Sequence, residues 1–318
     1  MNPGAFRGSA DVKEQMVEPV RARWIARALV PDPTLNWQCE DRPDSLGGAL
    51  AMTRDRAEFE DRTGIPAGLA RLCELLIASG TQKVEAPGSA AGFSLEGAGN
   101  LLAFGTEWLD AIRPGADLSL VMPQFARHVL GRLLQPDFPL APYIGLEFRD
   151  VGLRILTFWD RELAGHVTAR DEWRRVQKAA LAADADTTPA WGYRVATFLE
   201  ALAWPVKSIS GEFVVLFEPL FFNWLIFLET PYMTDEERAD REHLLIGLRA
   251  MAIAPRDNAG HMDFDPLEAL PESQRVISGD YIAATMERSK AVKDAARARK
   301  DEVIRDLMDT VLTFIRSA

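Results

Sequence analysis

The sequence predicts a predominantly all-α protein, a multi-helix globular bundle with a long C-terminal helix. Three observations support this fold class. Apolar residues recur every three to four positions in most segments, as on one face of a helix. Several of these segments begin with residues that cap helices. The stretch Asp280–Arg316 contains neither Gly nor Pro, so one helix about 55 Å long is expected there.

The first half of the chain is predicted to form a series of helices. They cover Asp11–Leu29 with a kink at Pro19, a segment from about Pro66 to Gly80, Asn100–Ile112, a segment after Pro123, and Tyr143–Ala164. In the second half, start signals define the helices. Thr168 with Asp171 and Thr234 with Glu237 fit capping boxes, and Thr188–Pro189 fits a helix start that leads to Trp204.

The apolar band Phe213–Leu228 is predicted to be the central core element. A proline lacks the N–H that continues a helix, but it suits a first turn. We therefore expect a minor β element at Glu212–Phe217 and a helix from Pro219 to about Leu228. The band is shorter than a spanning helix of about 20 apolar residues, and it contains Glu218. A membrane-inserting hairpin is the alternative interpretation.

Glycine and serine residues concentrate in residues 80–99, which are predicted to be a surface loop or a linker. The predicted division is an N-terminal helical region over 1–79, the Gly-rich segment over 80–99, and a main helical domain over 100–318. One continuous domain over 1–318 is the alternative.

Composition limits the functions to consider. The net charge of −11 disfavours nucleic acid as a partner, because phosphates repel an acidic surface. Of the 36 basic residues 29 are Arg, a bias typical of GC-rich bacterial genomes. The N-terminus has no apolar segment of a secretory signal, so a cytoplasmic location is expected. Cys39 and Cys73 are too few for a disulfide framework, and their redox state stays open.

The familiar catalytic motifs GxSxG, HExxH and CxxC are absent from the sequence. Two sets of residues are nevertheless candidates for a metal site that would hold an Fe, Mn or Mg ion. One is the loop with His261, Asp263 and Asp265, and the other combines the pairs Glu162 with His166 and Asp240 with His243, each spaced as on one helix face. A polar loop and ordinary surface pairs explain these patterns better.

The middle of the last predicted helix is basic, an unusual feature in so acidic a chain. It contains six cations and few acids: Arg288, Lys290, Lys293, Arg297, Arg299 and Lys300. A solvated helix face is the simpler interpretation, and a docking surface for an acidic partner is the alternative. That partner could be the acidic face of another copy of the chain.

The leading functional hypothesis is a bacterial protein that acts by protein–protein interaction, as an immunity or antitoxin-like factor, an adaptor or a regulator does. It rests on a large core, an acidic surface and no catalytic signature. The alternatives are a metal-dependent helical enzyme and a membrane-active, toxin-like helical protein. A protein partner or a homo-oligomer is expected, with neither nucleic acid nor a stable transmembrane span.

Overall fold

The computed structural model describes residues 4–39, 43–85, 93–141, 144–185, 198–209, 211–239 and 279–318. Helices dominate these residues, which confirms the predominantly all-α fold. We label the helices α1 (Ala10–Ile25), α2 (Leu46–Ala51), α3 (Arg56–Thr63), α4 (Ala67–Gly80), α5 (Gly99–Ala111), α6 (Val121–Leu133), α7 (Leu146–Leu163), α8 (Arg170–Ala185), α9 (Phe213–Phe227) and α10 (Gly279–Ser317). Residues 198–202 and 235–239 are also helical.

The Gly-rich segment forms β structure, which was predicted instead at Glu212–Phe217. Strands β1 (Thr81–Glu85) and β2 (Phe93–Gly97) form an antiparallel hairpin in which Thr81 pairs with Gly97 and Glu85 with Phe93. The hairpin connects α4 to α5. The prediction of an irregular loop was therefore wrong for these residues, because cross-strand pairing depends on a partner strand and not on local composition. The division into domains stays a prediction.

The predicted β element at Glu212–Phe217 was also wrong, because α9 begins at Phe213 and continues through Pro219. Proline removes the N–H that would bond to the carbonyl of the residue four positions earlier, here Val215. Val215 is 44% exposed, so water can reach this part of the backbone. In the same way α1 continues through Pro19 from Ala10 to Ile25. Tertiary packing preserves both helices despite their prolines.

Both predicted capping boxes lie in the described residues, and one of them is formed. The backbone N–H of Thr234 donates to Glu237, and the N–H of Glu237 donates to Thr234 Oγ1. The other is not, because α8 begins at Arg170 and the Thr168 hydroxyl is buried without a partner. Glu172 instead accepts a hydrogen bond from the N–H of Ala169. The Thr188–Pro189 start lies outside the described residues.

Helix α9 is at the centre of an aromatic cluster. The rings of Phe213, Phe217 and Phe221 stack in sequence along the helix, with centroids 5.6 and 5.2 Å apart. Phe125 of α6 meets Phe217 edge-on at 5.4 Å. Phe221 and Trp224 are 0% and 4% exposed, which confirms that the apolar band is a core element. The hydrophobic core is continuous with buried residues of α1 and α10.

Length and composition single out Phe213–Tyr232, among the described residues, as a stretch that could cross a membrane. Its mean hydropathy is 1.6, and 56% of it is buried inside the protein. A buried core helix meets the same criterion, so this is weak evidence for a membrane span.

Candidate interaction surface on helix α10

The C-terminal half of α10 is anchored in the core. Two adjacent apolar rows of α10 face the hydrophobic core. Their buried members are Val303, Ile304, Leu307, Met308, Val311, Leu312 and Ile315. They pack against α4, α5 and α6. Arg316 extends this attachment through an exposed salt bridge of 3.0 Å to Glu107 of α5. The anchoring fixes the direction in which the rest of the helix runs.

The middle of α10 is much less covered. There the buried stripe narrows to Val292 and Ala296, while Lys290, Lys293 and Arg297 are exposed. We call these three cations the basic face of α10. They form no salt bridge with the part of the chain that the structure describes. Exposed guanidinium and ammonium groups can form charge-assisted hydrogen bonds with anionic groups.

The charges around the basic face are not uniform. Partial burial raises the pKa of Asp301, whereas the nearby charges of Arg297, Arg305 and Lys300 lower it. Asp294 is exposed on the same part of the helix. Asp294 and Asp301 thus reduce the local excess of positive charge but do not cancel it.

Lys300 does not belong to this exposed surface. Its ammonium group is 2.5 Å from Glu229 Oε1, and the Glu229 side chain is only 2% exposed. The expectation that Lys300 faces solvent or a partner was therefore wrong. A buried carboxylate requires a countercharge, and α10 passes close enough to the end of α9 for Lys300 to provide it.

The remaining two cations of the predicted surface, Arg299 and Arg288, belong neither to the basic face nor to the Lys300 pair. Arg299 is exposed and pairs with Glu302 one turn further along the helix. The side chain of Arg288 lies outside those that the structure describes. The structure thus separates the predicted surface into an exposed basic face, a locally paired arginine and a lysine paired with a buried carboxylate.

The metal candidates are only partly within the described residues. Glu162 and His166 do not share a helix face, because α7 ends at Leu163 and Gly165 turns the chain with a φ of +88°. Glu162 accepts hydrogen bonds from Trp173 Nε1 at 2.9 Å and from the backbone N–H of Val206 at 2.8 Å, which links three elements of the fold.

The remaining metal candidates, Asp240, His243, His261, Asp263 and Asp265, lie outside the described residues. Within the described ranges no cluster of three or more His, Cys, Asp or Glu could hold a metal ion. Cys39 and Cys73 are both free thiols. Burial raises the pKa of the Cys73 thiol well above its usual value, which disfavours the nucleophilic thiolate.

One buried titratable residue, Glu74, was not among the predicted site residues. Glu74 is fully buried on α4, where its carboxyl group accepts hydrogen bonds from the backbone of two other segments. The available signal was a single acidic residue inside the apolar run of α4, since a buried carboxyl in such a run needs donors from elsewhere in the fold. The hydrogen bonds of Glu74 have a structural role. The basic face of α10 is therefore the best candidate for a functional site.

Comparisons with protein-family models, curated proteins and solved structures gave no significant match.

Proposed function

We propose that the protein acts by binding another protein, and that the basic face of α10 contacts an acidic surface of that partner. The observation that supports the proposal most is the combination of exposure and anchoring in α10. Lys290, Lys293 and Arg297 are exposed and form no salt bridge within the described residues, while the C-terminal half of the same helix is buried. An immunity or antitoxin-like factor, an adaptor or a regulator are members of this functional class.

Electrostatics explains why such a face favours binding over a fold-stabilising role. Exposed ion pairs contribute only about 0 to 1 kcal/mol to folding, so these cations are not needed for stability. Complementary charges across an interface instead accelerate encounter and exclude wrong partners. In a chain of net charge −11, a basic face also sets the orientation in which an acidic partner approaches.

The test begins with in-cell cross-linking to identify bound proteins, followed by affinity measurement with the purified partner. A variant with Lys290, Lys293 and Arg297 changed to Glu should bind about tenfold more weakly or worse. Binding of the wild type should weaken as salt rises from about 0.05 to about 0.5 M.

The matched control changes Arg154, Arg175 and Lys178 to Glu. These are exposed cations of α7 and α8, so the control alters the net charge equally at another place. It should bind like the wild type. Equal losses in both variants, or no loss in either, would contradict the proposal.

Metal analysis of the purified protein separates this proposal from the metal-enzyme hypothesis. Near-stoichiometric Fe, Mn or Mg that His261→Ala releases would favour the enzyme.

A further inference from the structure

The exposed side of α1 is acidic and slightly concave. Asp11, Glu14 and Glu18 are exposed at positions i, i+3 and i+7, so they lie along one face of the helix. We call these residues the acidic face of α1. Together with Gln15, Pro19 and Ala22 they line a shallow depression of about 550 Å³. Glu18 pairs with Arg21 of the same helix, whereas Asp11 and Glu14 form no salt bridge within the described residues.

The basic face of α10 has the same spacing. Lys290, Lys293 and Arg297 also occupy positions i, i+3 and i+7. In both helices the first and third charges are about 10 Å apart along the axis, because each residue rises 1.5 Å. When the two helices lie side by side in the same direction, every carboxylate on one meets a cation on the other.

We propose that α1 of a second copy of this chain is an acidic surface that the basic face of α10 binds, an inference that rests on the proposed function. The occupant is identified by charge complementarity in sign and spacing, with Glu18 shared between Arg21 of its own helix and the facing cation. Within one molecule no salt bridge joins these two faces among the described residues.

The expected association is weak and sensitive to salt. Each exposed ion pair contributes little, and one helix pair buries less area than a standard stable interface of about 1,600 Å². Screening beyond a Debye length of about 8 Å reduces the attraction further at physiological ionic strength. The contact therefore suits reversible self-association that depends on protein concentration.

Sedimentation velocity of the full chain tests the inference with two variants of opposite charge change. Glu14→Lys with Glu18→Lys makes the α1 face basic, and Lys293→Glu with Arg297→Glu makes the α10 face acidic. The wild type should self-associate at low salt and dissociate at high salt. Each variant alone should associate about tenfold more weakly or worse, because like charges then face each other.

An equal mixture of the two variants is the decisive sample. One molecule then offers acidic faces on both helices and the other offers basic faces, so complementary pairing returns and association should recover to near the wild-type level. The controls are Glu147→Lys with Asp150→Lys, and Arg175→Glu with Lys178→Glu, which change exposed charges of α7 and α8 by the same amounts. Both controls should associate like the wild type, and thermal melts check that all variants fold.

Three outcomes would overturn the inference: a wild type that stays monomeric at low salt, association that survives both reversals, or a mixture that fails to recover. If the wild type is monomeric but its basic face binds a different acidic protein, the self-association is rejected and the proposed function stands. If no protein binds the basic face in any experiment, both are rejected.

Discussion

Glu74 connects α4 to the first turn of α2 and to the segment that precedes α2. Its Oε1 accepts a hydrogen bond from the N–H of Gly47 at 2.6 Å, and its Oε2 accepts one from the N–H of Asp32 at 2.9 Å. Complete burial raises the pKa of Glu74 to about 8, although the hydrogen bonds from Gly47 and Asp32 act in the opposite direction. The carboxyl group is therefore mostly protonated at neutral pH in the folded protein.

This pKa predicts how stability depends on pH. In the unfolded chain the glutamate titrates near its ordinary pKa of 4.5, so between about pH 5 and 8 the folded state holds up to one proton more than the unfolded state. The free energy of unfolding should fall by up to about 1.4 kcal/mol per pH unit across this window from this residue alone. The contribution of Glu74 to the free energy of unfolding is fully present below its pKa in the unfolded chain, and it is lost as the pH rises through about 8.

Urea unfolding of wild type and Glu74→Gln at several pH values measures this contribution. The difference between the two should change with pH in the stated direction, since Gln does not titrate. Taking the difference also removes the contribution of His128, whose pKa is lowered by burial and by Arg132 and Arg127. Glu147→Gln, an exposed control on α7, should keep the wild-type profile. Parallel profiles for Glu74→Gln and wild type would contradict the prediction.

The backbone conformation of Met52 leads to a second prediction. It ends α2 with a φ of +52°, a left-handed conformation that glycine adopts without steric cost, and its side chain is 62% exposed. Met52→Gly should raise the free energy of unfolding by about 0.5 to 1 kcal/mol. Met52→Ala keeps the left-handed strain and should give no such gain in urea unfolding. Stabilisation of both variants alike would point to a cause other than the backbone.

Helix α9 contributes a row of stacked aromatic rings to the core. Trp224 packs edge-on against Phe138, with ring centroids 4.8 Å apart, and is 4% exposed. Trp224→Ala should destabilise the protein by about 3 to 5 kcal/mol, because it removes buried apolar area and leaves a cavity. A clear fall in melting temperature is the expected result.

Phe222→Ala is the matched control on the same helix, because its ring is 44% exposed. It should cost much less than Trp224→Ala in the same melting experiment. If Trp224→Ala melted like the wild type and instead lost binding to liposomes, the apolar band would be a membrane or partner surface.

At the scale of the whole molecule, the Lys300–Glu229 pair joins the C-terminal helix to the end of α9. Lys300→Met would leave the buried Glu229 carboxylate without this countercharge, and removing one partner of a buried pair costs about 3 kcal/mol or more. The second variant, Lys300→Met with Glu229→Gln, should recover much of this loss. Urea unfolding gives both values.

Arg299→Met provides the comparison, since Arg299 and Glu302 form an exposed pair. Its effect on the free energy of unfolding should stay below about 1 kcal/mol. Equal effects of Lys300→Met and Arg299→Met would show that burial of Glu229 does not make the Lys300 pair important.

Much of the helical architecture could be predicted from local signals. The period of apolar residues located α4, α5 and α10 to within a few residues, and the absence of Gly and Pro from 280–316 indicated the length of α10. Thr234 and Glu237 were recognised as a capping box because both partners lie within one turn. These features depend on neighbours three or four positions apart, which the sequence displays directly.

The fold class, the apolar core helix and the position of the basic stretch follow from local patterns in the sequence. The pairing of β1 with β2, the continuation of α9 through Pro219 and the burial of Glu74 depend on tertiary packing. So does the pairing of Lys300 with Glu229, which distinguishes Lys300 from the exposed Lys290, Lys293 and Arg297. The physical reason is distance along the chain. A hydrogen bond or ion pair between residues 27 or 71 positions apart exists only when packing brings its partners together, and burial then sets its energy.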